Sequence, residues 1–151
     1  MSGDANNSKV TNILLSGVGG QGSLLASRMI STVAMRLGLD VKSADVHGMA
    51  QRGGSVTSQI RIAERVFSPV IPAGEVDYLV ALEKLEALRY AHLTRRGAVV
   101  LVSTQTMQPV SVSAGQGVYP ADLDERIRAA CPGAQARDRT AARRDCGRPA
   151  A

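Results

Sequence analysis

The chain has 151 residues, a net charge of +5, 44% hydrophobic residues and few aromatic ones. This length predicts one domain. No stretch approaches the roughly 18 apolar residues that a membrane-spanning helix needs. The polar N-terminus also lacks the apolar region of a secretory signal. The composition therefore excludes a membrane protein and predicts a cytoplasmic one.

The positive charge does not predict a nucleic-acid partner. Most of the excess lies in the arginine-rich stretch from Ala129 to Ala151, and the rest of the chain is close to balanced. A nucleic-acid surface would combine basic residues with aromatic side chains that stack on bases. No such strand is present, so binding to DNA or RNA is not expected.

The cysteines exclude an iron–sulfur cluster held by this chain alone. Cys131 and Cys146 are the two cysteines of the sequence, and their spacing is not that of a metal site. A cluster usually takes four cysteine ligands. We therefore predict no metal site.

The first half of the chain alternates apolar strands with one long helix. Leu25, Met29, Val33 and Leu37 recur at four-residue spacing, as on one face of a helix. Apolar runs that end at glycines or turn residues indicate strands. The predicted elements are a strand over 10–16, a helix over 20–37, strands over 41–46 and 55–62, and a short strand over 66–68.

The second half continues the alternation. Its predicted elements are a strand over 77–82, a helix over 83–93, a strand over 98–103, a short strand over 108–112 and a helix over 120–130. Strands that alternate with helices predict a mostly parallel sheet covered by helices. We therefore expect an α/β, Rossmann-like three-layer domain over residues 10–130.

The two ends of the chain are predicted to be disordered. Residues 1–9 are polar, and no large apolar side chain follows Ile127. Residues 131–151 cannot bury enough apolar surface to offset the entropy of ordering them. We therefore place them outside the domain.

The first glycine turn follows the first strand and opens the first helix. Its sequence, Gly17-Val18-Gly19-Gly20-Gln21-Gly22, matches the pattern G-x-G-x-x-G. Glycines in such a turn let backbone N–H groups approach an anion at the helix N-terminus. A dinucleotide site also needs an acid about 20 residues later, and Asp45 lies roughly there. Two interpretations of the turn remain open. One is simple strand–helix packing, and the other is cofactor contact through Gly17, Gly19, Gly20, Gln21 and Gly22.

The second glycine turn, residues 47–54, is the rarer of the two. Its sequence is His47-Gly48-Met49-Ala50-Gln51-Arg52-Gly53-Gly54, and it follows the second strand. Ligands of α/β sheets bind at the carboxyl ends of strands, and an arginine there can clamp a carboxylate or phosphate. We predict that His47, Gln51, Arg52, Gly53 and Gly54 contact a ligand or a partner subunit. The alternative is a solvated turn.

Two carboxylates follow the strand over 77–82. Glu83 and Glu86 lie three residues apart at the start of a predicted helix, where acids are common. We therefore expect a solvated first turn rather than a catalytic pair, and we expect His92 to be structural. No catalytic residue is assigned.

Four segments together resemble a known family. They are SGVGGQG (16–22), VHGMAQRGGSV (46–56), SPVIP (68–72) and LEKLEALR (82–89). They are similar to the gamma-type domain of 2-oxoacid:ferredoxin oxidoreductases, the pyruvate/ketoisovalerate oxidoreductase family. Within it, the beta subunit of indolepyruvate ferredoxin oxidoreductase is the closest in type. The resemblance covers about residues 10–128, and the HGMAQRGG block is its specific part.

The resemblance implies an accessory subunit of an enzyme that oxidatively decarboxylates a 2-oxoacid to an acyl-CoA and passes electrons to ferredoxin. Thiamine diphosphate and iron–sulfur clusters are then expected mainly on a large partner subunit, with coenzyme A as a substrate of the complex. The isolated chain is expected to be inactive. The family continues past Ala130 with apolar helical sequence, so the C-terminus resembles a truncated or frame-shifted reading.

Two rival functions remain open from the residues. One is a free-standing Rossmann dehydrogenase that uses NAD(P), and the other is a non-catalytic nucleotide-binding module. Tight binding of NAD(H) by the isolated chain would favour the first, and binding of adenine nucleotides without turnover would favour the second.

Overall fold

The computed structural model describes residues 9–47, 54–107 and 119–138, the last four of these by their backbone. The elements in chain order are β1 (Thr11–Val18), α1 (Ser23–Arg36), β2 (Asp40–His47), β3 (Ser55–Ala63), β4 (Val76–Ala81), α2 (Lys84–Tyr90), a 3-10 turn (Ala91–Leu93), β5 (Thr94–Val102), α3 (Leu123–Ala130) and β6 (Gln135–Asp138).

One six-stranded sheet organises these elements, in the order β2-β3-β1-β4-β5-β6. Strands β1, β4, β5 and β6 are parallel to one another, whereas β3 is antiparallel to both of its neighbours, β1 and β2. The predicted α/β fold with a mostly parallel sheet is confirmed. The antiparallel β3 between β1 and β2 means that the β1–α1–β2 crossover spans an intervening strand.

The core lies mainly between the sheet and the second and third helices. Leu14 of β1, Leu79 of β4 and Val100 of β5 are almost fully buried in one cluster, together with Ala91 after α2. A second cluster joins α2 to α3 through Ala87 and Ile127. Side chains alternate between the two faces of a strand, and α1 packs on β3 and β2 from the other face. Helices therefore cover both faces of the sheet.

Helix α1 packs on the sheet through small side chains. Its buried residues are Ser23, Ser27, Ser31 and Ala34. The four residues of the apolar stripe, Leu25, Met29, Val33 and Leu37, point outward and are 58% to 74% exposed. An amphipathic helix ordinarily buries its apolar face. Here the small serine face is turned to the sheet.

Most predicted strands and helices match an observed element, with α1 and α3 each beginning three residues later than predicted. Residues 66–68 do not form a strand, and the helix predicted over 83–93 ends at Tyr90 and continues as the 3-10 turn. Strand β5 begins at Thr94 rather than at Ala98, because its pairing with β4 shifts register near Gly97, whose φ is 74°. The short strand predicted over 108–112 lies outside the described residues.

The prediction that residues after Ala130 are disordered is wrong for residues 131–138. Cys131 is buried at 5% exposure in the Leu14 cluster, and β6 pairs with β5 from Val99 to Val102. A parallel edge strand is held by backbone hydrogen bonds, so it needs no large apolar side chain of its own. Residues 1–8 and 139–151 lie outside the described part of the chain.

No helix among the described residues is long and apolar enough to cross a membrane.

Candidate functional site at the strand ends

The first glycine turn and the two ends of the second, His47 and Gly54, lie at one edge of the sheet. We call this region the strand-end edge and define it by residues 17–22, 47, 54 and 82–86. Strands β1, β2 and β4 all end at this edge and β3 begins there. The backbone N–H of Gly19 donates to the carbonyl oxygen of Gly54 at 2.9 Å. The sequence prediction that both turns lie at the carboxyl ends of strands is confirmed.

The first glycine turn needs glycine at two positions for its backbone conformation. Gly20 has φ 98° and Gly22, the N-cap of α1, has φ 87°. Residues other than glycine rarely adopt such positive φ angles. These two glycines therefore set the path from β1 into α1.

Gln21 connects this turn to the end of β4. Its Oε1 accepts a hydrogen bond from the N–H of Val18 at 2.7 Å, and its Nε2 donates to the carbonyl oxygen of Leu82 at 3.1 Å. A Cβ on Gly17 would lie 2.9 Å from that Oε1 and 3.2 Å from the Cβ of Leu82. Gly17 is thus the residue that makes room for the Gln21 side chain.

These contacts use N–H groups that an anion-binding turn would present to a ligand. The N–H of Val18 donates to the side-chain Oε1 of Gln21. The N–H of Gly19 donates to the carbonyl oxygen of Gly54, and the N–H of Gln21 donates to the carbonyl oxygen of Val18. A phosphate at a helix N-terminus needs such groups free and pointing toward it. Three N–H groups of the turn therefore take part in packing contacts, and cofactor contact through Gly17–Gly22 stays a prediction.

Asp45 does not take the position of the acid in a dinucleotide site. It lies on the exposed edge strand β2, paired in register with Ser58 of β3. Strand β3 separates it from β1 and from the first glycine turn. In the dinucleotide-binding fold the two strands of the crossover are neighbours, which brings the acid to the ribose. That arrangement is missing here.

The second turn is attached to the strand-end edge on its C-terminal side. On that side the carbonyl oxygen of Gly54 accepts the N–H of Gly19. The hydroxyl of the next residue, Ser55, donates to Glu86 and lies 3.1 Å from the hydroxyl of Tyr90. His47, at the other end of the turn, is exposed and pairs in register with Val56. Gln51, Arg52 and Gly53 lie outside the described residues, so their contacts stay predictions.

The expectation of a solvated first turn for Glu83 and Glu86 is wrong. The two residues are 1% and 4% exposed. Glu83 caps α2 by accepting the N–H of Glu86 at 3.0 Å, and it also accepts the hydroxyl of Tyr119. Glu86 accepts a hydrogen bond from the Ser55 hydroxyl, and its carboxylate lies 3.3 Å from the Arg89 guanidinium. Hydrogen bonds thus offset the cost of burying both carboxylates.

Tyr119, Tyr90 and Ser55 belong to this network, and no sequence pattern identifies them as members of it. Burial, followed by the hydrogen bond to Glu83, raises the pKa of Tyr119 above its ordinary value of 10.0. The phenol is therefore protonated at neutral pH and acts as a donor. The network fastens α2 to the start of β3, directly after the second turn.

His92 has a local role, as expected. It is exposed in the 3-10 turn after α2, and its Nδ1 lies 3.0 Å from the carbonyl oxygen of Arg89. It is therefore remote from the strand-end edge, because α2 runs away from that edge.

The residues of this chain do not fit an iron–sulfur cluster. Cys131 is buried among apolar side chains, and Cys146 is the sequence's other cysteine. Within residues 9–47, 54–107 and 119–138, no group of three or more His, Cys, Asp or Glu could hold a metal ion.

Comparison with known proteins identifies relatives that match about three quarters of this chain. The chain is 50% identical over 116 residues to the indolepyruvate oxidoreductase subunit IorB of Archaeoglobus fulgidus, covering 77% of this chain and 57% of the relative. It is 41% identical over 117 residues to the subunit of the same name from Thermococcus kodakarensis, covering 78% and 57%. The chain thus spans little more than half the length of these relatives.

A solved structure shows the same fold. The gamma subunit of a keto/oxoacid ferredoxin oxidoreductase from Geobacter sulfurreducens matches with a TM-score of 0.55 and 23% identity, over 85% of this chain and 60% of that one. Residues 12–141 match the family described as pyruvate ferredoxin/flavodoxin oxidoreductase. The match includes β6, which the sequence prediction had left outside the domain. The chain belongs to the pyruvate ferredoxin/flavodoxin oxidoreductase family.

Proposed function

We propose that this chain is an accessory subunit of a 2-oxoacid:ferredoxin oxidoreductase, of the type that acts on indolepyruvate. The observation that carries the proposal is the 50% identity to an indolepyruvate oxidoreductase subunit. The complex would convert a 2-oxoacid and coenzyme A to an acyl-CoA and carbon dioxide. The two electrons released would pass to ferredoxin.

The cofactors of that reaction would be carried by a large partner subunit. This chain lacks the cysteines for a cluster, and thiamine diphosphate supplies the carbanion stabilisation wherever it is bound. What this chain would contribute is a rigid edge. The hydrogen bonds of Gly19, Gln21, Glu83 and Glu86 fix that edge without any ligand. A cytoplasmic location stays a prediction.

We further propose that the 47–54 turn contacts the ligand or the large subunit. Its C-terminal end is anchored by Gly54 and Ser55, so its remaining residues start from a defined position on the strand-end edge. Arg52 could bridge a carboxylate or phosphate through its planar guanidinium, and a lysine cannot reproduce that geometry.

Two rival functions have less support. A free-standing NAD(P) dehydrogenase is disfavoured by the strand between β1 and β2 and by the position of Asp45. A nucleotide-binding module is disfavoured by the three N–H groups of the first turn that already have acceptors.

Co-expression with the large subunit tests the proposal. The purified pair should reduce ferredoxin when indolepyruvate and coenzyme A are supplied, and the isolated chain should not. Arg52→Lys and Arg52→Ala should each lower that rate about tenfold or more, the loss of one charge-assisted contact. Arg96→Ala is the matched control, since Arg96 is exposed near the start of β5, at the opposite edge.

The outcomes separate the two parts of the proposal. Turnover by the isolated chain, or a pair that neither assembles nor reduces ferredoxin, would refute the accessory role. Arg52 variants that assemble and turn over like the parent chain would instead show that residues 47–54 form only a turn.

A further inference from the structure

The outward surface of α1 carries a stripe of large apolar side chains that the described part of the chain leaves uncovered. We call it the α1 outer face and define it by Leu25, Met29, Val33 and Leu37. Their exposed fractions are 64%, 61%, 58% and 74%. Beside it, a groove of about 480 Å³ runs between the helix and the sheet, with Leu39 and Ile62 among its lining residues.

Such a surface is costly for a protein that remains alone in water. Each large aliphatic side chain forfeits the stabilisation of burial when it is left exposed. The buried side of the same helix uses three serines and an alanine, so the sequence places its larger side chains on the outside. Contiguous apolar surfaces of this kind mark sites of protein association.

The charges on α1 indicate what kind of surface covers it. The helix contains Arg28 and Arg36, both exposed, and no aspartate or glutamate. Arg36 lies between Leu25 and Met29 around the helix axis, and Arg28 lies at the margin of the stripe. Two copies packed through this face would bring arginines of both helices together, and such like-charge contacts are unfavourable. The charges therefore fit a partner that has an apolar centre and carboxylates around it.

We propose that the α1 outer face is the docking surface for the large subunit, through an apolar patch rimmed by acidic side chains. This inference rests on the proposed function, because that function supplies the partner. It assigns assembly to α1 and leaves the strand-end edge at the ends of β1, β2 and β4 for other contacts.

Charge substitutions on the outer face test the proposal in the full chain co-expressed with the large subunit. Met29→Glu and Arg36→Glu should each lower the amount of large subunit that co-purifies by about tenfold or more. Met29→Glu places an unpaired charge against the apolar patch, and Arg36→Glu repels the acidic rim. Arg96→Glu is the matched control for the charge reversal, because Arg96 is exposed and lies on β5, two strands beyond β1 in the sheet. The thermal midpoints of the isolated variants should stay within about 3 °C of the parent chain, as for surface changes.

Each other outcome overturns the inference in a recognisable way. If the parent chain does not co-purify with the large subunit, the proposed function fails and the inference fails with it. If the parent and both variants co-purify equally, the function stands and only the docking surface is wrong. A parent dimer in light scattering that Met29→Glu converts to a monomer would identify a second copy as the occupant. A large fall in the midpoint of the isolated Met29→Glu chain would identify another segment of this chain.

Discussion

Gln21 spans the strand-end edge with a side chain that makes hydrogen bonds at both ends of its amide. One bond satisfies the N–H of Val18 and the other reaches the carbonyl oxygen of Leu82 at the end of β4. The space for that amide exists because Gly17 has no side chain. The unfolding free energy lost by a substitution at one of these residues should therefore depend on which residue occupies the other position.

We expect Gly17→Ala to lower the free energy of unfolding by about 1–3 kcal/mol, as for overpacking of a close contact. Gln21→Ala should cost about 1–3 kcal/mol, because a partly buried N–H loses its acceptor. In the Gln21→Ala chain the added alanine at position 17 should cost less, because the nearest clashing atom, Oε1, is gone. Urea unfolding of the two single variants and the double variant measures this coupling. Strict additivity would show that the two residues are independent.

The hydroxyl of Tyr119 donates a hydrogen bond to one oxygen of the buried Glu83 carboxylate. Its pKa is raised in the folded chain by burial and by that carboxylate. A raised folded pKa means that the stabilisation is complete below the unfolded pKa, about 10, and is lost as pH rises toward the folded pKa. Stability should thus decline in the alkaline range.

Tyr119→Phe should remove this alkaline dependence. At neutral pH the variant should be less stable by about 1–3 kcal/mol, because a buried acceptor loses its donor. Above about pH 10, where the unfolded phenol ionises, the difference between the two chains should shrink. Denaturant unfolding from pH 7 upward is the measurement, with Tyr78→Phe as control because Tyr78 is exposed. A difference that is constant with pH would contradict the prediction.

At the scale of elements, local pattern predicted where strands and helices lie but not what they pack against. The strand predicted over 55–62 ends within one residue of the observed end of β3. The four-residue stripe of α1 predicted a helix correctly. Which face a helix buries depends on the space above the sheet, and here the small Ser23, Ser27 and Ser31 fit that space.

Strand β6 shows a second limit of sequence patterns. Residues 135–138 carry no apolar run, so nothing in their side chains predicts a strand. Their order comes from backbone pairing with β5 and from Cys131, which anchors the chain just before them. Such tertiary support overrides weak local preference.

Truncations should separate the described from the undescribed part of the tail. A chain that ends at Ala130 should lose about 2 kcal/mol or more of unfolding free energy, the scale of burying one large side chain. A chain that ends at Asp138 should match the full chain within about 0.5 kcal/mol, because residues 139–151 lack large apolar side chains. Urea unfolding of both chains is the measurement. Equal stability of the two truncations would show that β6 and Cys131 add nothing.

For the whole molecule, the sequence predicted the fold class and the place of each glycine turn after a strand, but not the sheet order. The G-x-G-x-x-G spacing is the same whether β1 and β2 are neighbours or are separated by a third strand. The inserted strand is β3, which begins directly after the second turn and returns antiparallel between them. Its position moves Asp45 away from the first turn, so the local motif and the topology indicate different functions.

That topology makes a binding prediction for the isolated chain. If the first turn were a dinucleotide site with a dissociation constant of about 10 μM, about 1 mM NADH would add about 2.7 kcal/mol of stability. For a chain of this size that gain would raise the thermal midpoint by about 5 °C or more. We expect a shift below about 1 °C with NADH, NADPH or ATP, because the N–H groups of Val18, Gly19 and Gln21 already have acceptors. Thermal unfolding with each nucleotide is the measurement, and a known NAD-dependent dehydrogenase serves as the positive control. A shift of several degrees that Gly20→Ala abolishes would restore the cofactor interpretation of the turn, since only glycine readily adopts the φ of 98° found there.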